Sequence, residues 1–195
     1  STDFTVNLAN HSHVGNLTST SDDELQLRGD GWFAIHGSLH LNDATTLDLM
    51  ASWNASEVLL TNDSGIDSLV SPNKIRAGLT LLGDGSYAVR DSLKVENIIA
   101  VVNGRLLMPD CYVEAGGFRD QYYPLGGGVG DSSYADIRNT HMVISGGLEF
   151  RKSTFRWDYD HSLVEVTGNW SSCYFDQSQP FWELRFSNQG AQNAI

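Results

Sequence analysis

The sequence predicts an all-β protein, and it favours a single-stranded right-handed parallel β-helix over a β-sandwich or jelly roll. Apolar and polar residues alternate with a period of two, but only in short bursts of about three to five residues. Glycine, asparagine, aspartate and serine, the residues of tight turns, separate these bursts. The helix formers alanine, glutamate and lysine are scarce, and no long stretch carries the i, i+3, i+4, i+7 spacing of an amphipathic helix.

Each burst places about two apolar side chains on one face of a strand, which defines the predicted elements in chain order. The predicted strands cover residues 38–41, 46–49, 57–60, 79–82, 87–89, 93–95, 98–102, 106–108, 142–144, 148–150, 155–157, 163–166 and 182–186. Strands this short, recurring about every 6 to 10 residues, fit the coils of a parallel β-helix. A sandwich generally uses strands of about 5–6 residues, so it is the second choice.

The two parts of the chain differ in composition. Of 21 leucines, 17 lie in residues 1–110, whereas 15 of the 20 aromatic residues lie in residues 111–195. We therefore predict a leucine-rich β scaffold over 1–110 and an aromatic-rich β region over 111–195, which can be continuous with the first as one domain. Residues 116–133 lack alternation, and a loop of that length is often functional.

Charge and composition limit the classes of partner. The net charge is −12 and there are only three lysines, which argues against nucleic acid because such binders need a basic surface against phosphates. The longest aliphatic run, residues 98–102, is far shorter than the roughly 20 residues that span a bilayer, so we expect no membrane insertion. Abundant serine, threonine, asparagine and glycine are typical of extracellular and virion-surface β proteins.

Metal and cofactor signals are weak. His11 and His13 lie on one side of an extended strand, and His36 and His40 share a face in the same way, but solvated surface histidines explain both pairs. The aspartate-rich turns at residues 62–67 and 83–85 allow at most weak Ca²⁺ binding. We predict no metal site and no cofactor. Cys111 and Cys173 form either one disulfide or two buried thiols.

The strongest acid–base candidates lie in the Trp-Asp-Tyr-Asp-His run at residues 157–161. Asp158 and Asp160 alternate to one face at about 7 Å, a separation compatible with the paired carboxylates of glycosidases. Asp120 or Glu149 is the candidate third carboxylate. Solvated strand residues explain the pair more simply, so the sequence favours a non-enzymatic protein and leaves a polysaccharide-degrading glycosidase or lyase as the alternative.

Carbohydrate binding requires aromatic rings that stack on sugars and polar side chains that hold the hydroxyls. The aromatic-rich region supplies both. The candidate ligand-binding residues are Tyr122, Tyr123, Trp157, Tyr159 and Trp170. Five arginines of this region are expected to be available for acidic sugars: Arg119, Arg138, Arg151, Arg156 and Arg185.

Residues 144–150, 153–155, 163–168 and 171–175 resemble coils of right-handed parallel β-helix proteins of the bacteriophage tailspike, tail-fibre and bacterial surface-adhesin type. The resemblance is one of architecture and carries no active-site motif. It implies a homo-oligomeric, trimeric surface protein that engages polysaccharide, in some cases with depolymerase activity.

Three functional hypotheses follow. The first is a host- or cell-surface glycan recognition module of a larger phage tail or extracellular protein. The second is a polysaccharide hydrolase or lyase that uses the paired aspartates. The third is a structural capsid or appendage subunit whose aromatic side chains pack at subunit interfaces.

Overall fold

The computed structural model describes residues 4–8, 11–20, 22–29, 31–49, 56–121, 133–168, 173–175 and 180–187. Over these ranges the chain forms strands and turns without a helix, so no helix there is suited to span a membrane. Every strand pairing in them is parallel, and the strands stack as a β-solenoid of about 7 turns. The parallel β-helix prediction is confirmed, and the sandwich alternative is wrong because its strands would pair antiparallel.

The strands are short, as their spacing in the sequence predicts. They are β1 Phe4–Leu8, β2 Ser12–Val14, β3 Leu17–Thr18, β4 Leu25–Gly29, β5 Trp32–Ile35, β6 Leu39–His40, β7 Thr45–Asp48, β8 Glu57–Leu60, β9 Ile66–Val70, β10 Gly78–Leu81, β11 Ser86–Val89, β12 Ser92–Val101, β13 Gly104–Leu107, β14 Tyr112–Arg119, β15 Ser133–Asp136, β16 His141–Ile144, β17 Leu148–Phe150, β18 Arg156–Asp158, β19 Leu163–Val166, β20 Cys173–Phe175 and β21 Glu183–Phe186.

The coil has three faces. Face A begins with β1, β4 and β7 and continues through bridges at Ile75 and Arg76. The first halves of β12 and β14 come next, and β16, β19 and β21 follow them. Face B contains β2, β5, β8 and β10, the second halves of β12 and β14, and then β17 and β20. Face C contains β3, β6, β9, β11, β13, β15 and β18. The register shift between Val95 and Ile98 marks where β12 bends from face A to face B.

One core runs along the inside of the coil. A single cluster of buried hydrophobic side chains extends from Leu27 to Cys173 and includes members of both the leucine-rich and the aromatic-rich region. Aliphatic side chains fill it in the early turns, while Phe118, Phe150 and Phe155 fill it in the later ones. Cys111 and Cys173 are buried thiols and are not bridged. Burial is the main cause that raises the pKa of each thiol.

The corner from face C to face A, called the C–A corner below, is built from residues with positive φ. Asp91, Asp110, Asn139 and His161 occupy it in four successive turns, with φ of 67°, 59°, 54° and 54°. Aspartate and asparagine enter this left-handed region more readily than most residues, since their short side chains bond locally. Asn139 Nδ2 donates to Asp110 Oδ1 at 2.9 Å, which joins two successive turns.

The corner from face B to face C is closed by glycine. Gly104 has a φ of 70°, and a Cβ atom there would collide with the carbonyl oxygens of Gly83 and Gly85 in the preceding turn. The backbones at this corner are therefore in direct contact.

Candidate functional site

The predicted pair Asp158 and Asp160 lies at the end of face C, and both side chains are exposed. Asp158 Oδ2 accepts a hydrogen bond from the Tyr134 hydroxyl at 2.6 Å. Asp160 lies beyond the end of β18, in the turn, where its Oδ1 is 3.2 Å from His161 Nδ1. The strand ends between them, so regular alternation does not extend to Asp160.

The other two predicted carboxylates are on a different face. Asp120 follows β14 and is fully buried, and its oxygens accept hydrogen bonds from the backbone N–H groups of Arg151 and Lys152. Burial raises the pKa of the Asp120 carboxyl, although these donors oppose the shift. Glu149 lines a small cleft of about 220 Å³ on face B, with Oε2 3.6 Å from Arg151 Nε. The structure therefore does not bring Asp120 or Glu149 to Asp158.

The five predicted ligand-binding residues fall into two groups, two that the structure describes and three that lie outside the described residues. Trp157 is buried in the core, where its indole N–H donates to the Pro180 carbonyl at 3.0 Å, so its ring is not available to stack on a ligand. Tyr159 is half-buried and packs against the same core. Tyr122, Tyr123 and Trp170 lie outside the described residues.

A groove runs along the C–A corner of the described surface. It consists of two clefts of about 400 Å³ and 430 Å³ that share Arg90 and Asp91. The lining comes from five successive turns, those that follow β6, β9, β11, β13 and β15. Because parallel strands are spaced about 4.8 Å apart, four intervals make the groove roughly 19 Å long.

The lining of the groove is partly apolar and partly charged. Val70, Ala88 and Leu107, all half-buried, supply apolar surface. The charged lining residues are Asp43, Arg90, Asp91, Asp110 and Asp136. Four carboxylates against one guanidinium make the lining acidic, which disfavours sulfated, phosphorylated or uronic polymers.

A hydrogen-bonded network holds the face C side of the groove. Arg138 donates to both carboxylate oxygens of Asp136, at 2.9 and 2.6 Å. Burial raises the pKa of the Asp136 carboxyl, but these hydrogen bonds and the guanidinium charge outweigh it and hold that pKa below its ordinary value. Beside them, the Arg105 guanidinium lies 4.8 Å from the centre of the Tyr134 ring.

An aromatic side chain stands on the face A side. Tyr112 is 38% exposed, follows the groove residue Cys111 directly, and pairs in register with Ser92, which also lines the groove. The His141 ring meets Tyr112 edge-on at 5.6 Å between centroids. His141 Nε2 is 3.2 Å from Glu165 Oε2, which fixes the orientation of the imidazole.

Three of the five arginines that we expected to be available for acidic sugars make contacts within the protein. Arg138 binds Asp136, Arg185 binds Glu183 at 2.6 Å, and Arg156 donates to the Ser153 carbonyl at 2.7 Å. Arg138 therefore lies beside the groove with its guanidinium bound to the lining residue Asp136.

Sequence reasoning missed the groove, although one signal pointed to it. Asp91, Asp110 and Asn139 each stand one or two residues before a strand of face A, at the same corner of successive turns. Ser92 pairs with Tyr112, Tyr112 with His141 and His141 with Leu163. Three successive turns therefore contain 20, 29 and 22 residues. This uneven spacing prevents alignment of the corner residues as a strict repeat.

We compared the chain with family models, with curated proteins and with solved structures, and no match was found in any of the three.

Proposed function

We propose that this protein is a glycan recognition module that holds an extended carbohydrate chain along the C–A groove. The observation that carries the proposal is the shape of the groove, which continues over five turns parallel to the coil axis. A linear polymer fits such a groove, whereas a compact ligand would use only part of it. Because each turn pairs with the next, the groove is preorganised and costs little ordering on binding.

The chemistry of the lining favours neutral or amino sugars. Aspartate carboxylates accept hydrogen bonds from sugar hydroxyls and attract protonated amino groups. The exposed ring of Tyr112 can stack on the apolar face of a pyranose at the groove rim. The apolar part of the lining accommodates the C–H edges of the same rings.

The lowered pKa of Asp136 favours glycan binding over hydrolysis at the groove. A glycosidase needs one carboxylic acid whose pKa is raised so that it can protonate the leaving group. At the groove, Asp136 has a lowered pKa because Arg138 binds both of its oxygens. Hydrolysis or lysis through Asp158 and Asp160 is the weaker proposal, because Asp160 lies beyond the end of β18 and neither Asp120 nor Glu149 lies on their face.

The architectural resemblance extends the proposal to the whole protein. We place the module at the surface of a virion or a cell, as part of a larger tailspike-like, tail-fibre-like or adhesin-like assembly that acts as a homotrimer. The serine-, threonine- and asparagine-rich composition supports this location. An appendage subunit with a purely structural role is the alternative, and it predicts no glycan affinity.

A glycan array followed by isothermal titration calorimetry tests the proposal. We expect binding to neutral or amino-sugar oligosaccharides of several residues and weaker binding to uronic or sulfated ones. Tyr112→Ala should lower the affinity about tenfold, which corresponds to ~1.4 kcal/mol. Asp110→Asn, which preserves the corner conformation, should change the preference for amino sugars because it removes one charge.

Tyr174→Ala is the matched control, since Tyr174 is 43% exposed but lies on face B. Its affinity for the same oligosaccharide should stay within twofold of the unmodified chain. Equal losses for Tyr112→Ala and Tyr174→Ala, or no glycan binding at all, would contradict the groove as the binding site.

A further inference from the structure

A cluster of imidazoles lies on the outer side of face B in the first two turns. His13, on β2, and His36, just after β5, are exposed side chains whose rings stack at 5.3 Å with an angle of 10° between their planes. His13 Nδ1 lies 3.1 Å from His36 Nε2. Trp32 supports the cluster, meeting the edge of His13 at 5.1 Å. Two ring nitrogens thus face each other at the surface.

Thr61 sets the proton arrangement of His36. The Thr61 hydroxyl directs its hydrogen to the Ile35 carbonyl oxygen at 3.3 Å, and its oxygen is 2.7 Å from His36 Nδ1. When the hydroxyl accepts from Nδ1–H, the lone pair of His36 Nε2 is directed at His13. A histidine that ligates a metal generally has its second ring nitrogen bound by such an acceptor.

We infer that His13 and His36 form a two-imidazole site for a borderline transition-metal ion such as Zn²⁺, Ni²⁺ or Cu²⁺. With metal–nitrogen bonds of about 2.0–2.1 Å, two ligands are separated by about 3.3 Å at a tetrahedral angle and about 2.9 Å at a right angle. The observed 3.1 Å lies between these values. The two nitrogens are thus already at the separation of two metal ligands, and the exposed rings admit an ion by turning until both lone pairs point to it.

The proton balance of binding is simple. In the neutral pair, one of the two facing nitrogens, His13 Nδ1 or His36 Nε2, carries the hydrogen of their contact. On metal binding that hydrogen relocates to the other nitrogen of the same ring, both lone pairs go to the ion, and no net proton is released. The ion gives up two waters and keeps water at its remaining positions. Among the described residues, no group of three or more histidine, cysteine, aspartate or glutamate side chains could hold a metal ion.

The site joins two turns of the coil. His13 lies on the strand that pairs with β5, and His36 follows β5 directly. An ion held by both histidines would link the first turn to the second, and its binding free energy would add to the stability of that end of the coil. This role does not depend on the groove, which lies at another corner.

Titration of the intact chain with ZnCl₂, NiCl₂ and CuCl₂ tests the site, with calorimetry and thermal unfolding as the two readouts. We expect one ion per chain, tightest for Cu²⁺, and a metal-dependent rise in the melting temperature. CaCl₂ and MgCl₂ should produce neither effect, since hard cations prefer oxygen ligands. His13→Ala and His36→Ala should each weaken binding more than tenfold, and both should fold because the side chains are exposed.

His161→Asn is the matched control, because His161 is also exposed and its positive φ suits asparagine. It should keep the affinity and the stoichiometry unchanged. Binding that survives in His36→Ala, or the absence of saturable binding at millimolar Zn²⁺, would overturn the assignment.

Discussion

The leucine-rich and aromatic-rich regions differ in how they fill one continuous core. In the early turns the inward positions carry aliphatic side chains such as Leu39, Leu69 and Leu79, all fully buried. In the later turns rings stack on rings: Phe150 lies 4.9 Å from Phe155. The contrast in composition therefore reflects two ways of packing the same coil.

Stacked parallel strands explain why similar side chains follow one another along the core, although Phe33 and Tyr87 also lie in the aliphatic region. Each inward position lies directly over its partner in the neighbouring turn, so similar side chains stack efficiently from turn to turn. The Trp157 ring, 4.7 Å from Phe150 and 4.8 Å from Phe181, continues the aromatic column. Most described rings of this region thereby serve stability, while Tyr112, Tyr134, Tyr174 and Trp182 point outward.

Truncating one ring of the aromatic column should have the largest effect. Phe150→Ala should lower the free energy of unfolding by about 4 kcal/mol, through lost burial and the cavity left behind. Leu79→Ala is the matched change in the aliphatic region and should cost about 3 kcal/mol. Urea unfolding measures both. If Phe150→Ala cost less than about 1 kcal/mol, the aromatic column would not be a packed core.

A buried carboxyl group in the aliphatic region makes the free energy of unfolding depend on pH. Glu57 is 3% exposed, and burial raises its pKa to about 7, against the opposing hydrogen bond from Thr80 and the charge of Arg119. Because the folded value lies above the ordinary 4.5, the stabilising contribution is complete below about pH 4.5 and is lost as the pH rises through 7. The shift corresponds to about 3 kcal/mol.

Glu57→Gln should remove this dependence, since the amide is neutral throughout. Measured by urea unfolding, the stability of the unmodified chain relative to Glu57→Gln should fall by about 3 kcal/mol between pH 4.5 and 8. Glu24→Gln, at an exposed position, should show no such trend. A constant difference between the unmodified chain and Glu57→Gln across this range would show that Glu57 is not buried as a neutral acid.

The smallest effect is expected for an outward ring of the aromatic region. Burial, and then the hydrogen bond to Asp158, raise the pKa of Tyr134 to about 12. Tyr134→Phe removes this hydrogen bond at a partly solvated site, so it should cost less than about 1 kcal/mol in urea unfolding. A loss as large as that of Phe150→Ala would mean that the outer surface of face C contributes to stability as the core does.

Much of the fold could be predicted from the sequence because strand alternation is a local property. The predicted strands 148–150 and 163–166 match β17 and β19 in their bounds. The predicted strands 93–95 and 98–102 are one strand, β12, that bends between faces at residues 96 and 97. A bend that keeps both halves paired leaves no turn signal in the composition.

The candidate site was less predictable because it depends on how the turns stack. Alternation correctly indicates that Trp157 and Asp158 face opposite ways, but not which side of β18 faces the core. The partner of Asp136 at the groove is Arg138 in the same turn, whereas the neighbour of Asp158 is Tyr134, 24 positions away. Such pairings require the register of parallel strands, which varies with the length of each turn.

By itself the sequence determined the class of the protein: short alternating strands, turn residues between them, too few helix formers, and a net charge of −12 that disfavours nucleic acid. Only the tertiary structure decided which aromatic rings are core and which residues line the C–A groove. The physical reason is that alternation and charge are properties of the local chain. A groove across five turns arises from contacts between residues 19 or more positions apart, and these are set by strand register.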